Sequence, residues 1–172
     1  MEIDVILEPD LAPAQIAELG QAAESYGLRC LWASNYSSAR DAFMSLVPMA
    51  GSTRRIGVGV LVVSPWEMHP LKIANALLTL NEYAKGRAQL VVSAGGEWTG
   101  VMGSARPRRV RAARETIEII KAASRGERLN YEGELYKARG FDAAWAREPA
   151  PLVYAGASKP QMFRMAAATA DG

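Results

Sequence analysis

Cysteine and histidine each occur once in the 172 residues, as Cys30 and His69. A lone cysteine allows no intrachain disulfide and argues against a Cys-based metal site. Lying in the apolar run 28–32, Cys30 reads as a buried, inert thiol. A lone histidine excludes a His-cluster metal centre and leaves any Ser/His/Asp triad hanging on one residue. Because His69 precedes Pro70 at a helix start, a capping or packing role is weighed at least equally with a catalytic one. Charge of one sign is also scarce. Lys+Arg number 20 and Asp+Glu 18, for a net charge of +2, which argues against a polybasic nucleic-acid or membrane-surface protein. The longest apolar run, residues 56–63, falls far short of the roughly 20 residues a membrane span needs. Glu2 and Asp4 stand where a signal peptide would be basic, and residues 3–7 are too few for its apolar core. The expectation is a cytoplasmic protein without nucleic-acid or membrane partners.

Apolar side chains are plentiful, at 49%, enough to offset the entropy of ordering a chain of this length as one domain. Short β-type runs at 3–7, 29–33, 56–63, 88–93 and 152–155 alternate with segments of helical spacing. Residues 12–26 place Ile16, Leu19, Ala23 and Tyr26 on one stripe, with Asp10 as cap and Gly27 as stop. Residues 40–51 also read as helix. Residues 71–84 align Ile73, Leu77, Leu80 and Ala84, and residues 107–125 align Val110, Ala113, Ile117, Ile120 and Ala123. A hairpin is expected at 129–136 and a last helix at 159–170. Strand starts step by 26, 27, 32 and then 64 residues, so a long insertion at about 97–150 interrupts a regular βα period. Strict βα alternation implies a parallel sheet with right-handed crossovers. Either an open parallel α/β sheet or part of a (β/α)8 barrel fits the pattern, and the length alone favours the open sheet.

Both architectures bind ligands beyond the carboxyl ends of the strands. The residues there are Glu8-Pro9, Ser34-Asn35-Tyr36, Ser64-Pro65-Trp66, Ala94-Gly95-Gly96-Glu97-Trp98 and Gly156-Ala157-Ser158. Glycines at a strand end let backbone N–H groups approach an anion, and the tryptophans suit a flat ring. Gly95 and Gly96 belong neither to a Walker loop nor to a G-x-G-x-x-G turn. Met44, Met49, Met102, Met162 and Met165 read as core fillers. Arg106, Arg108, Arg109 and Arg111 form a basic cluster that suits either a solvated face or an acidic ligand tail.

Several pieces in order resemble the bacterial luciferase-like family. They are residues 31–36 with Arg40, Asp41 and Phe43, then residues 55–60 with Pro65, His69-Pro70 and Gly86-Arg87, then Ser93 to Gly96. Glu115, Gly126-Glu127 and Tyr131-Glu132-Gly133-Glu134, with residues 151–156 and Ala170-Asp171-Gly172, resemble its deazaflavin-dependent, methylenetetrahydromethanopterin reductase-like branch. The likeness runs over nearly the whole chain. It implies the N-terminal five βα units of a TIM (β/α)8 barrel, truncated at Gly172 and forming one partial domain over 1–172, in place of the open sheet.

The resemblance further implies hydride transfer between a small organic substrate and coenzyme F420, with an FMN-dependent monooxygenase as the alternative. A third reading, motivated by unpaired sheet edges, is a non-catalytic half-barrel acting by association, and a homo-oligomer is expected. A bulge with a non-proline cis peptide at Leu61-Val62, together with Val63 and Ser64, would back the cofactor ring. Ala94, Gly95 and Gly96, with Gly156 and Ala157, would follow its side chain to the phosphate. Glu8, Asn35 and Glu97 are the polar candidates near the ring, Glu8 and Asn35 as the catalytic pair. The family commonly carries Asp-His where this chain has Asn35-Tyr36.

Overall fold

A computed structural model describes residues 2–172. Five strands form one parallel sheet: β1 (Asp4–Leu7), β2 (Cys30–Ser34), β3 (Gly57–Val63), β4 (Ala88–Ser93) and β7 (Leu152–Gly156). Between them run α1 (Pro13–Ser25), α2 (Ala42–Ser52) and α3 (Pro70–Tyr83). The stretch from β4 to β7 holds α4 (Glu97–Val101), α5 (Arg109–Ala123) and an antiparallel hairpin, β5 (Leu129–Glu132) with β6 (Lys137–Phe141). α6 (Pro160–Thr169) follows β7.

The strand order, β1-β2-β3-β4-β7, never reverses. A doubly wound sheet changes direction at a switch point and carries helices on both faces. Here α1, α2, α3, α5 and α6 pack against one another in chain order, as one layer. This corrects the open-sheet alternative: the arrangement is that of the first five strands of a (β/α)8 barrel. Beyond α6 the chain returns along β7: the Asp171 N–H donates to the Val153 carbonyl (2.9 Å), and the Gly172 carbonyl accepts from the Ala155 N–H (2.9 Å).

Burial separates the two sheet faces. Leu31, Val58, Val60, Leu90, Val92 and Val153 alternate along their strands and are sealed beneath the helices, where Leu46, Met49, Ile73, Leu77, Ile117 and Ile120 meet them. The opposite face carries Asp4, Trp32, Gln89 and Tyr154. Trp32 of β2 meets Tyr154 of β7 edge to face, with centroids 5.8 Å apart. Three strand spacings separate β2 from β7, about 14 Å in a flat sheet, so this face is concave. Gly59 of β3 leaves room for the indole, since a Cβ there would overlap Trp32. Asp4 completes the cluster, accepting from Arg29 Nε (2.8 Å) and Trp32 Nε1 (3.0 Å).

Three local expectations need correction. Ala12 rather than Asp10 caps α1, and its N–H is held by Gln15 Oε1 at 2.8 Å. Leu19 (42% exposed) and Tyr26 (83%) leave the buried stripe of α1, because Met49 presses against Gly20 and rolls the helix toward α2. Met44 and Met102 are exposed, whereas Met49, Met162 and Met165 fill the core. The His69 expectation holds in detail, with Nδ1 accepting from Leu71 N–H at 3.2 Å to cap α3.

Two motifs quoted for the resemblance have structural explanations. Arg87 donates to the carbonyls of Ala50 (2.9 Å), Thr53 (3.1 Å) and Ile56 (2.7 Å), pinning the end of α2 to the start of β3. Glu115, 2% exposed, accepts the N–H groups of Glu134, Leu135 and Tyr136 at 2.9–3.0 Å and so clamps the hairpin turn to α5. Cys30 is fully buried, and burial pushes its thiol up to about 12.

Candidate functional site

The carboxyl ends of β1, β2, β3, β4 and β7 lie side by side along one edge of the sheet, and two groups of candidate residues assemble there. The first joins β2 to β3. A cis peptide links Leu61 and Val62, and the β3–β4 register shifts between Leu61 and Val63. Asn35 closes on this bulge: its N–H donates to the Leu61 carbonyl (2.7 Å) and its Nδ2 to the Val62 carbonyl (3.0 Å). Nδ2 also donates to Glu67 Oε2 at 2.9 Å, while Glu67 Oε1 accepts from the Ser64 N–H. Both amide hydrogens of Asn35 are therefore committed, and its role in this geometry is to tie the end of β2 to the bulge.

Glu67 was absent from the sequence candidates, which stopped one residue short at Trp66. Burial pushes its carboxyl above the usual range, against the opposing pull of the Ser64 and Asn35 hydrogen bonds. The available signal was an acidic residue four positions past a strand end. Glu8, by contrast, is exposed and makes no side-chain hydrogen bond or ion pair among the described residues. Glu97 is exposed too. It accepts from Ser37 Oγ (2.6 Å) and Ser37 N–H (3.2 Å), drawing the start of α4 to the loop after β2.

The second group joins β4 to β7. Their register pairs Ser93 with Gly156, and these two residues, with Ala94 and Gly95, line the mouth of a groove of about 1360 Å³. Gly96 and Ala157 adjoin that mouth in sequence but do not line the groove. Ser93 Oγ is buried and has no hydrogen-bond partner. Gly95 holds φ = +113°, a conformation L side chains rarely adopt, and a Cβ there would stand 2.7 Å from Arg106 Cδ. An orphaned hydroxyl, two Cβ-free strand ends and a guanidinium form a cradle of anion-binding chemistry that fits a phosphate. Among the described residues no group of three or more His, Cys, Asp or Glu could hold a metal ion, and no helix is long and apolar enough to cross a membrane.

Comparison with known proteins gives consistent results. A family model described as luciferase-like monooxygenase matches residues 2–172. The 5,10-methylenetetrahydromethanopterin reductase of Archaeoglobus fulgidus is 30% identical over 173 residues, covering 100% of this chain and 52% of the relative. The solved coenzyme F420 dependent tetrahydromethanopterin reductase from Methanopyrus kandleri matches with a TM-score of 0.88 at 25% identity, covering 99% of this chain and 54% of that one. The oxygenating constituent of 3,6-diketocamphane monooxygenase from Pseudomonas putida, solved with FMN, has a TM-score of 0.74 at 18% identity, a likeness of fold. It covers 94% of this chain and 54% of that one. The chain thus spans about half the length of the relatives it matches.

Proposed function

The chain belongs to the luciferase-like monooxygenase family, and from that premise we propose that it forms the cofactor-binding part of an oxidoreductase transferring hydride between a small organic substrate and coenzyme F420. The observation that carries this reading is the phosphate-fitting cradle of Ser93, Gly95, Gly156 and Arg106, set two strand ends from the Asn35–Glu67 clamp. When bound, the deazaflavin supplies a ring carbon able to accept or give hydride.

The rest of the work falls to the protein. Leu61, Val62 and Val63, with Ser64, would back the ring as a mainly apolar shelf, and Asn35 and Glu67 hold that shelf in one shape. Fixing the ring against the substrate supplies most of what the protein must contribute, because positioning can account for several kcal/mol of barrier. Ala94, Gly95 and Gly96 on one side and Gly156 and Ala157 on the other would pass the side chain to the phosphate. Glu67, a carboxyl biased toward its protonated form by burial, is better placed than Glu8 for proton chemistry beside Asn35.

FMN is the alternative cofactor, supported by the fold likeness to the FMN-bound monooxygenase. Titration with the deazaflavin and with FMN, followed by absorbance and fluorescence, separates the two. Binding of the deazaflavin with a spectral change is expected. Tight FMN binding with no response to the deazaflavin, and oxygen uptake with reduced FMN, would move the chain to the monooxygenase reading.

A further inference from the structure

Asn35 has one polar side-chain atom left over. Its Nδ2 gives one hydrogen to the Val62 carbonyl (3.0 Å) and the other to Glu67 Oε2 (2.9 Å). These two partners fix which way round the amide lies. Turned over, Oδ1 would face a carbonyl oxygen and a carboxyl oxygen, and the Val62 carbonyl has no proton to offer at any pH. Oδ1 is therefore held apart from both. No donor reaches it among the described residues, and it is not buried, so it stands as an oriented acceptor open to solvent.

The charge around it is one-sided. The loops after β1, β2 and β3, residues 8–12, 35–41 and 64–69, hold four carboxylates, Glu8, Asp10, Asp41 and Glu67, and one cation, Arg40. Arg40 is engaged with the carbonyls of Asp10 (3.0 Å) and Leu11 (3.2 Å). Glu97 brings a fifth carboxylate to the loop after β2 through its bonds to Ser37. An anion approaching Asn35 meets like charge and an acceptor oxygen, and both count against it. An O–H or N–H group meets an acceptor whose direction is already set, so little further ordering is needed on contact. Leu61, Val62 and Trp66, in the adjoining bulge and turn, are half-buried and suit an apolar body behind that donor.

We propose that Asn35 Oδ1 sets substrate specificity: it accepts a hydrogen bond from a hydroxyl or amine on an otherwise apolar substrate, and the surrounding carboxylates turn anions away. The proposal rests on the cofactor reading above, which puts the ring against the Leu61–Val62 shelf. It adds the class of substrate that is presented to that ring.

The test is a ligand series followed by nitrogen–proton correlation NMR of the isotope-labelled 172-residue chain. It is run with and without a deazaflavin that ends at its phosphate. The probes share one ring: cyclohexanol, cyclohexylamine, methoxycyclohexane, cyclohexanone and cyclohexanecarboxylate. Cyclohexanol or cyclohexylamine should bind about fivefold more tightly than methoxycyclohexane or cyclohexanone and should move the Asn35 side-chain amide signals. The tighter of those two separates hydroxyl from amine recognition. Cyclohexanecarboxylate should bind most weakly. Asn35→Ala should level the alcohol with the ether; because this variant also frees the bulge, the wild-type series decides. Equal affinity for alcohol and ether, alcohol binding that leaves the Asn35 side-chain signals in place, or tightest binding by the carboxylate overturns the proposal. If the deazaflavin leaves the Leu61 and Val62 amide signals unmoved, the cofactor reading falls, and the donor preference still stands or falls on the series run without it.

Discussion

Glu67 and Asn35 illustrate what one side chain can decide. The Glu67 carboxylate satisfies two donors, Asn35 Nδ2 and Ser64 N–H, with its two oxygens. Glutamine keeps the shape but offers one acceptor and presents an N–H to the other donor. Losing one charge-assisted hydrogen bond costs about 1.5 kcal/mol or more. Glu67→Gln should therefore weaken deazaflavin binding at neutral pH by roughly tenfold, as read by fluorescence titration; unchanged affinity would remove Glu67 from the site. The same substitution has a pH signature. A carboxyl raised by burial holds its proton longer in the folded chain, so its contribution to stability is present at low pH and lost as pH rises through the raised value. Denaturant melts across mildly acidic pH should show the wild type losing ground to the glutamine variant as pH rises. Asn35 was legible in the sequence as a polar residue past a strand end. Its partner was not, because the turn that returns Glu67 to β2 is a property of the backbone.

At the scale of elements, periodicity located every strand of the main sheet and five of the six helices. α4 was missed because five residues are too few to display a period. Leu19 was misplaced because spacing cannot register that Met49 occupies the space over Gly20. Two joints between elements are open to test. Glu24, near the end of α1, accepts the N–H groups of Arg54, Arg55 and Ile56 and so fastens the loop leading into β3. Burial opposes its charge, but these bonds prevail and hold the carboxyl at about 2. A depressed carboxylate contributes stability above its ordinary value near 4.5 and loses it as pH falls toward 2. In an acid titration followed by circular dichroism, the wild type should lose stability relative to Glu24→Gln within that window, and parallel curves would show that the joint contributes nothing. The second joint is Gly59 beneath Trp32. Gly59→Val should cost about 1–3 kcal/mol by overpacking and shift the Trp32 emission, while the same substitution at solvent-facing Gly100 should do neither.

For the whole molecule, the balance of charge and the state of the sheet edges matter most. A net charge of +2 conceals a groove lined by nine cations and one carboxylate; composition argues against a uniformly basic protein but is blind to segregation. The outer edge of β1 has no strand partner among the described residues, and Ile6 within β1 and Ile3 just before it are 61% and 44% exposed. Such an edge invites pairing with another chain. Sedimentation velocity at micromolar concentration should show species larger than a monomer, reduced by Ile3→Lys with Ile6→Lys; a single monomeric boundary for the wild type would show that the edge is protected. By itself, the sequence determined the parallel βα succession, the buried faces of α3 and α5, and the glycine-rich ends of β4 and β7, because each rests on local spacing. Only the tertiary structure decided that the strands follow one another without reversal, that Glu67 stands behind Asn35, and that arginines up to 58 positions apart, from Arg106 to Arg164, line one furrow. Those outcomes depend on sheet curvature and on helices packed side by side, and neither leaves a periodic trace in the chain.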